Sequence, residues 1–291
     1  MHILTDAGAD LVAVQRKGLT IHAVPLVFTL EGRTYRSGID IQPAEFYKLL
    51  AATRSFPSTS QPAPGDFAAA YRRLAATGDR DVLSIHISSG LSGTINAARL
   101  GAQEVPEANV TFVDTLTLSA AEGWQVEAAG RMIQAGWPLD RILPALERIK
   151  QATETFYTLE TLRYLEHGGR ISHIQALLGQ ILDLKPIIGV EKVYGRYAMH
   201  GRERSLKRAV QRLAEIVAER FGTTERLRVQ VMHAHNPAGA QQLIALVTQR
   251  FDAHLLPVGD IAPVLGAHTG PGLVGICAAP LNAFDGIPDL A

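Results

Sequence analysis

The length, composition and charge of the chain limit what it can be. Its 291 residues are enough for about two domains, and its 47% apolar and 19% charged residues are typical of a globular protein with a sizeable core. The 28 Lys and Arg residues equal the 28 Asp and Glu residues. This balance argues against a protein that tracks nucleic-acid phosphates, which needs a basic surplus.

Strand and helix patterns alternate over the first 150 residues. Short apolar runs are followed by segments with helical spacing, an order that favours a mostly parallel sheet covered by helices. The expected strands cover residues 3–4, 21–30, 81–87 and 110–113, and the expected helices cover residues 43–52, 65–76, 92–104 and 118–135. We assign residues 1–152 to an N-terminal α/β domain.

The pattern changes after residue 152 and predicts a second, smaller α/β domain with a mixed sheet at residues 153–291. Gly168-Gly169 separates two helical pieces, and a turn at Gly195 predicts a hairpin. Asn236 and Pro237 are typical of a helix start. The last residues can pack back on the first domain. Strand-like runs cover 154–159, 185–190, 194–200, 227–232, 254–258 and 273–278, and helical spacing covers 206–217 and 237–250.

The segment SSGLSGT, from Ser88 to Thr94, is the most informative local feature. It follows a predicted strand and begins a predicted helix, and its glycines let backbone N–H groups approach a ligand. The hydroxyl groups of Ser89, Ser92 and Thr94 add further donors. This combination suits a carboxylate or a phosphate, although ordinary turn and helix-capping residues would give the same pattern.

A second glycine-rich segment, GAHTGPG at residues 266–272, contains His268. Histidine titrates near neutral pH, so this segment is a candidate ligand-binding loop, but a lone histidine is more often structural. The G-x-G-x-x-G pattern beginning at Gly270 runs into a strand instead of a helix, which excludes a dinucleotide fingerprint. The hydroxyl-rich segment at residues 58–67 by itself predicts a turn and a helix cap.

Other features of the sequence exclude functions or give weaker signals. The single cysteine, Cys277, excludes an internal disulfide framework, and we expect it to be buried in its apolar run. His233 and His235 share a strand face, but no further ligands are evident, so we predict no metal site. A basic run predicts a solvated face or a partner-docking surface and comprises Arg202, Arg204, Lys207 and Arg208.

The sequence carries no targeting signal that we can identify. The N-terminus lacks a charged region followed by an apolar stretch, as a secretory signal would have. No apolar run approaches the roughly 18 residues that a membrane-spanning helix needs. We therefore predict a cytoplasmic protein without a transmembrane segment.

Four short motifs follow one another along the chain: TSQP at residues 59–62, SSGLSGT at 88–94, GGRIS at 168–172 and HTGPG at 268–272. In this order they resemble the motifs of the DegV family, which are bacterial fatty-acid-binding proteins and include the acyl-carrying subunits of fatty acid kinase. Thr5-Asp6 and residues 114–119 also look like family landmarks, so the resemblance covers essentially the whole chain. One departure is Ala7-Gly8, which replaces the usual Ser-Thr pair.

The resemblance implies two α/β domains with a fatty acid buried between them. Its carboxylate would be held by Thr59, Ser92 and His268. An arginine of the family that couples to the kinase aligns best with Arg204, with Arg202 as a close rival and Arg170 as a further candidate. The supporting loop residues implied by the same resemblance are Ser89, Gly93, Thr94 and Gly270.

The function implied by the resemblance is that of a carrier without catalytic activity, cofactor or metal. It would bury a long-chain fatty acid, present the carboxylate to a separate ATP-dependent fatty acid kinase for acyl-phosphate formation, and contact a membrane only transiently. An alternative is a serine acyl hydrolase with Ser92 as nucleophile and His268 as base, which needs an acid such as Asp260 beside the histidine. A DNA-binding regulator is disfavoured by the zero net charge and by the lack of a recognisable reading helix.

The sequence alone cannot choose the tautomer of His268, but we expect the affinity for the fatty acid to decline as the pH rises. If the ring faces the carboxylate, the anion raises the pKa of His268 in the complex, and the fatty acid binds more weakly as the pH rises. A neutral His268 that donates through one nitrogen would instead give little pH dependence.

Overall fold

The computed structural model describes residues 1–171 and 184–290, and within them fourteen strands form three sheets that are flanked by ten α-helices. The strands are β1 (His2–Asp6), β2 (Ile21–Val24), β3 (Val27–Leu30), β4 (Arg33–Arg36), β5 (Ser58–Ser60), β6 (Asp81–His86), β7 (Asn109–Asp114), β8 (Glu154–Thr158), β9 (Lys185–Val190), β10 (Tyr197–Glu203), β11 (Leu227–His233), β12 (Ala253–Leu255), β13 (Gly259–Asp260) and β14 (Val274–Pro280). The helices are α1 (Ala13–Arg16), α2 (Pro43–Ala52), α3 (Pro64–Ala75), α4 (Thr94–Gln103), α5 (Ser119–Gln134), α6 (Leu139–Ala152), α7 (Arg163–His167), α8 (Leu206–Phe221), α9 (Pro237–Arg250) and α10 (Pro263–Thr269).

A four-stranded parallel sheet lies at the centre of the N-terminal half (residues 1–152), in the order β2-β1-β6-β7. The parallel sheet predicted from the strand–helix alternation is therefore confirmed. The chain leaves β1 toward β2 on one side and leaves β6 toward β7 on the other. The carboxyl ends of β1 and β6 thus form a switch point, the place where open parallel sheets bind ligands.

The single strand predicted over residues 21–30 is wrong. It splits at Pro25 into β2, in the parallel sheet, and β3, which forms a small antiparallel sheet with β4 and β5. Proline lacks an N–H group and cannot continue a strand ladder, which is the physical reason for the break. The same small sheet corrects a second prediction, because residues 58–60 form strand β5 instead of a turn, and Thr59 pairs with Phe28.

A mixed sheet fills the C-terminal half, in the order β10-β9-β8-β14-β11-β12, with β13 also paired to β11. The predicted hairpin is confirmed as β9 and β10, and Gly195 takes a φ of +62° in its turn. The strand predicted at 254–258 is shorter and ends at Leu255, two residues before Pro257. The helical piece predicted after Gly169, including Ser172 of the GGRIS motif, lies outside the described residues.

The largest hydrophobic cluster contains residues of both halves, with α5 buried along almost its whole length. On α5, the indole N–H of Trp124 donates to Gln230 Oε1 at 2.8 Å. The ring of Phe284, in a 3-10 turn after β14, packs against Trp124 with 5.7 Å between centroids. The Arg148 side chain donates to the carbonyl of Ala283. The last turn of the chain therefore packs against α5 and α6.

In the described part of the chain, two N-cap residues accept a helix N–H through their own side chains. The Asn236 side chain accepts the N–H of Gly239, as the predicted N-cap requires, and Ser205 accepts the N–H of Arg208 at the start of α8. Within residues 1–171 and 184–290, the helices are too short or too polar to cross a membrane.

Candidate functional site

A cavity lies between the carboxyl end of the parallel sheet, strand β5 and helix α10. Its walls are apolar on several sides, with Leu26, Ile87, Leu118 and Leu265 among them. One end is polar and contains Thr59, Gln61, Ser92, Arg170 and His268. An apolar cavity with a few convergent polar groups is the usual form of a small-molecule site.

Asp6, the last residue of β1, fixes the backbone at the switch point. Its carboxylate accepts the N–H groups of Gly8 at 2.8 Å and Ile87 at 3.0 Å. It also lies 3.0 Å from Nδ1 of the buried His86. These bonds tie the ends of β1 and β6 together and place Ile87 in the cavity wall.

Two buried carboxyl groups lie close to Gly8, one of the two residues that replace the usual Ser-Thr pair. A side chain at Gly8 would stand 2.9 Å from Asp6 Oδ1 and 3.3 Å from Glu122 Oε2. Burial, together with the charges of Asp6 and Asp10, raises the pKa of Glu122 well above its ordinary value. Glycine therefore fits where two carboxyl groups approach closely, and a larger residue would require one of them to move.

Thr59 and His268 meet across the cavity although 209 residues separate them. Thr59 Oγ1 lies 2.7 Å from His268 Nε2. Thr59 is held by the pairing of β5 with β3. His268 lies in the last turn of α10 and not in a glycine-rich loop, which corrects the sequence-based expectation. The glycines follow the helix, and Gly270 ends it with a φ of +72°.

Burial controls the protonation of His268. Desolvation, with a further contribution from the Arg170 cation, lowers the pKa of His268 to about 3. Nδ1 of the ring is buried and has no hydrogen-bond partner among the described residues. The His268 ring is therefore neutral at pH 7, and protonation of the ring at this pH would require a bound anion that raises its pKa by several units.

The SSGLSGT segment brings the Ser92 hydroxyl group to the cavity. Ser92 Oγ lies 2.8 Å from Thr94 Oγ1. Helix α4 begins at Thr94, two residues later than predicted, with Gly93 as its N-cap. Ser89 is exposed, and its backbone N–H donates to Asp114. Ser92 therefore lies in the cavity wall, and the buried Thr94 is the hydrogen-bond partner of its hydroxyl group.

The candidate arginines occupy different places. Arg170 lines the cavity, and its guanidinium donates to the carbonyls of Gly168 at 2.6 Å and Leu91 at 3.4 Å. Arg204 lies on the surface between β10 and α8, and Arg202 is also exposed. The structure thus places Arg170, and not Arg204, beside Thr59 and His268.

The arrangement gives no support to the hydrolase alternative. The hydroxyl partner of His268 is Thr59, and the hydroxyl partner of Ser92 is Thr94. Asp260, the acid considered for the triad, lies 3.4 Å from Nδ1 of His233 instead. A serine nucleophile needs a histidine within hydrogen-bond reach and an acid that orients it.

The two histidines of residues 233–235 do not share a strand face. Strand β11 ends at His233, and His235 has a φ of +55° and stacks on Tyr47 with 6.2 Å between the ring centroids. In the described ranges, no group of three or more His, Cys, Asp or Glu side chains could hold a metal ion. Cys277 is buried, as predicted.

Sequence reasoning missed Gln61 as a cavity residue. It stands between Thr59 and the proline of the TSQP motif, so its place in that motif was the available signal. From the sequence, Arg170 was only a further candidate behind Arg204 and Arg202. The GGRIS motif does not indicate which of its side chains points into the cavity, whereas the structure shows that Arg170 lines it.

Gly168 leaves the space that His268 fills. A Cβ at Gly168 would overlap Nδ1 of the ring, while its φ of −74° would suit alanine. We expect Gly168→Ala to displace the ring and to lower the free energy of unfolding by about 1–3 kcal/mol. The measurement is urea unfolding, with Gly201→Ala as control, because a Cβ there would stand 3.6 Å from Ile187, an ordinary contact. Equal stabilities of Gly168→Ala and Gly201→Ala would show that the His268 ring does not fill the space beside Gly168.

The lowered pKa of His268 also predicts how stability depends on pH. Below its ordinary pKa of 6.5 the unfolded chain takes up a proton that the folded protein, with a pKa of about 3, does not. The free energy of unfolding should therefore fall as the pH drops from 6.5 toward 3, by roughly 1 kcal/mol over the first unit. Unfolding of the parent and of His268→Gln at pH 4.5–7.5 tests this. The variant should lose less stability on acidification, and parallel curves would contradict the burial of a neutral ring.

Comparison with known proteins places this geometry in context. The family model described as "Uncharacterised protein, DegV family" matches residues 1–281. A protein of Deinococcus radiodurans, described as "DegV domain-containing protein", is 37% identical over 97% of this chain and 99% of its own length. A solved structure described as "Fatty Acid Binding of a DegV family Protein from Thermus thermophilus" is 34% identical, with a TM-score of 0.87 over 96% of this chain and 99% of its own. The structure of "DegV, a fatty acid binding protein from Bacillus subtilis" is 28% identical, with a TM-score of 0.85 over 96% and 98% of the two chains.

Proposed function

Because the chain belongs to the DegV family, we propose that it buries a long-chain fatty acid and presents the carboxylate to a separate ATP-dependent fatty acid kinase, which forms the acyl phosphate. One observation carries the proposal. Thr59, Ser92 and His268, from three distant segments, line the polar end of one cavity together with the Arg170 cation. Similar proteins of solved structure are described as fatty-acid-binding.

The polar end of the cavity matches the chemistry of a carboxylate. A carboxylate accepts several hydrogen bonds, and bonds to an ion are stronger than bonds between neutral groups. Two hydroxyl groups and a neutral imidazole offer donors, and Arg170 supplies the compensating charge. Because burial lowers the pKa of His268 to about 3, a neutral ring donates through one nitrogen, and affinity should change little with pH across the neutral range instead of declining as the sequence led us to expect.

The acyl chain supplies most of the affinity. Each buried methylene contributes about 0.8 kcal/mol, so the gross gain for a long chain exceeds roughly ten kcal/mol, of which the entropy cost of binding consumes a large part. The polar groups therefore mainly fix the orientation of the ligand, with its carboxylate at the end of the cavity that Gln61 and Ser92 border.

The protein acts as a carrier in this proposal, and the chemistry belongs to the kinase. The two domains are residues 1–152 and 153–291, with the ligand between them, and the protein works in the cytoplasm without a cofactor. Arg204, on the surface, serves as the contact to the kinase, and Arg170 serves the carboxylate itself. The exposed position of Arg204 supports this division.

Lipid extraction of the purified protein tests the carrier role. We expect about one fatty acid per chain, and uptake of added palmitate or oleate after delipidation. Incubation of the loaded protein with ATP and the kinase subunit of the same organism should produce acyl phosphate. Absence of any fatty acid, both after purification and after addition, would contradict the proposal. Turnover of a chromogenic short-chain ester that Ser92→Ala abolishes would favour the hydrolase.

A further inference from the structure

The Gln61 side chain lies over the start of helix α4, at the polar end of the cavity. A Cβ at Gly93 would overlap the amide oxygen Oε1 of Gln61 but would stand 3.3 Å from the amide nitrogen Nε2. The oxygen, which is the acceptor of the amide group, therefore faces the helix start. Gln61 itself is exposed, whereas Thr59 and Ser92 are partly buried.

The start of α4 is a place where an acceptor is favoured. The N-cap is Gly93, which has no side chain to cap the helix, and the first turn contains no acidic residue, although the Ser92 hydroxyl accepts the N–H of Thr94 at 3.4 Å. The first N–H groups of a helix lack partners within the helix and carry partial positive charge. The Gln61 oxygen is a second side-chain acceptor that packs against this end, beside the Ser92 hydroxyl.

A fatty acid carboxylate held by Thr59 and Ser92 needs the same space. Ser92 immediately precedes Gly93, and Thr59 is two residues before Gln61, so the two acceptors would approach one set of donors. An ionised carboxylate accepts stronger hydrogen bonds than a neutral amide oxygen does, so the ligand should win this competition. The exposed position of Gln61 leaves its side chain room to move into solvent.

We propose that Gln61 is a displaceable positioning residue whose amide oxygen occupies part of the head-group space and must leave before the carboxylate binds. The inference rests on the proposed function, since it concerns the same cavity. A binding-competent state that is only partly populated reduces the apparent affinity by its population. Gln61 thus lowers the affinity for the fatty acid and eases its exchange, which suits a carrier that must release its cargo.

Three substitutions test the displacement. Gln61→Ala removes the competing oxygen and should tighten oleate binding about 3- to 10-fold, the range expected for one net hydrogen bond. Gln61→Glu places a tethered carboxylate at the same position and should weaken binding at least roughly 10-fold. In Gly93→Ala, the new Cβ would overlap the side-chain amide of Gln61 and should displace it. The φ of −75° at Gly93 suits alanine. In the Gly93→Ala background, the further change Gln61→Ala should then alter affinity less than about 2-fold, since the contact is already lost.

The measurement is the dissociation constant of oleate, by competition with a fluorescent fatty acid on delipidated protein, with melting temperatures checked for each variant. Gln103→Ala, an exposed amide at the other end of α4, is the control and should bind as the parent does. Unchanged or weaker binding by Gln61→Ala would overturn the inference while leaving the proposed function intact. Lack of oleate binding by the parent and every variant would overturn both. If Gly93→Ala fails to fold, the opposite changes in oleate affinity expected for Gln61→Ala and Gln61→Glu still test the inference.

Discussion

Replacing Glu127 by alanine is expected to lower the free energy of unfolding by about 3–5 kcal/mol. Glu127, on α5, accepts hydrogen bonds from Arg228 at 2.6 Å and from Gln15 at 2.8 Å. The side chains of Arg228 and Glu127 are 2% and 6% exposed. The guanidinium lies against the rings of Trp124 and Phe284, at 5.2 and 4.7 Å from their centroids. The loss of Glu127 leaves a buried cation without its counter-charge, between the two halves of the molecule.

A nearby surface pair provides the matched control. Arg226 and Asp252 also form an ion pair, but their side chains are 63% and 73% exposed, so Arg226→Ala should cost no more than about 1 kcal/mol. The double variant Glu127→Leu with Arg228→Met should be more stable than Glu127→Ala, because it removes both buried charges. Unfolding in guanidinium chloride at pH 7 measures the free energy of unfolding of these three variants. Similar losses for Glu127→Ala and Arg226→Ala would show that the buried pair does not join the halves as described.

Thr59→Val should weaken fatty acid binding by roughly 10- to 150-fold, because a hydrogen bond to a charged acceptor contributes about 1.5–3 kcal/mol. Valine keeps the shape of threonine but removes the hydroxyl group that lies 2.7 Å from His268 Nε2. Ser92→Ala removes the second hydroxyl donor at the polar end of the cavity and should have an effect of the same size. Neither substitution should change the melting temperature of the ligand-free protein as much as Glu127→Ala does.

Titration of delipidated protein with a fluorescent fatty acid at pH 7 measures these effects. Ser58→Ala is the matched control, since Ser58 lies on the same short strand as Thr59 but is exposed. It should bind as the parent does. If Thr59→Val and Ser92→Ala both retained the affinity of the parent, the carboxylate would have to bind elsewhere.

The local order of the chain could be predicted from the sequence because it depends on neighbouring residues. Apolar runs alternate with helical spacing over the first 150 residues, and this order predicted a parallel sheet with helices. Glycine and asparagine marked the hairpin turn at Gly195 and the helix start at Asn236 for reasons of backbone conformation and capping. The break at Pro25 was visible in the same way, yet the continuous apolar pattern on both sides outweighed it.

The motifs also located the candidate site, but only as separate segments. Their order resembled one family, and that resemblance named Thr59, Ser92 and His268 together. The periodicity of the residues could not do so, because no local rule relates positions 59 and 268. Their contact arises where α10 packs against β5 and α7.

The tertiary structure alone decided the electrostatics of the site. Sequence indicated a histidine that titrates near neutral pH, but burial beside Arg170 holds the pKa of His268 at about 3. It likewise decided that Arg170 faces the cavity while Arg204 faces solvent, and that the Gln61 oxygen packs on Gly93. The desolvation of a group and the direction of a long side chain depend on atoms brought from distant parts of the chain. Residue type and spacing therefore determined which groups this protein has available, and the packing of the two halves determined which of them meet and in what charge state.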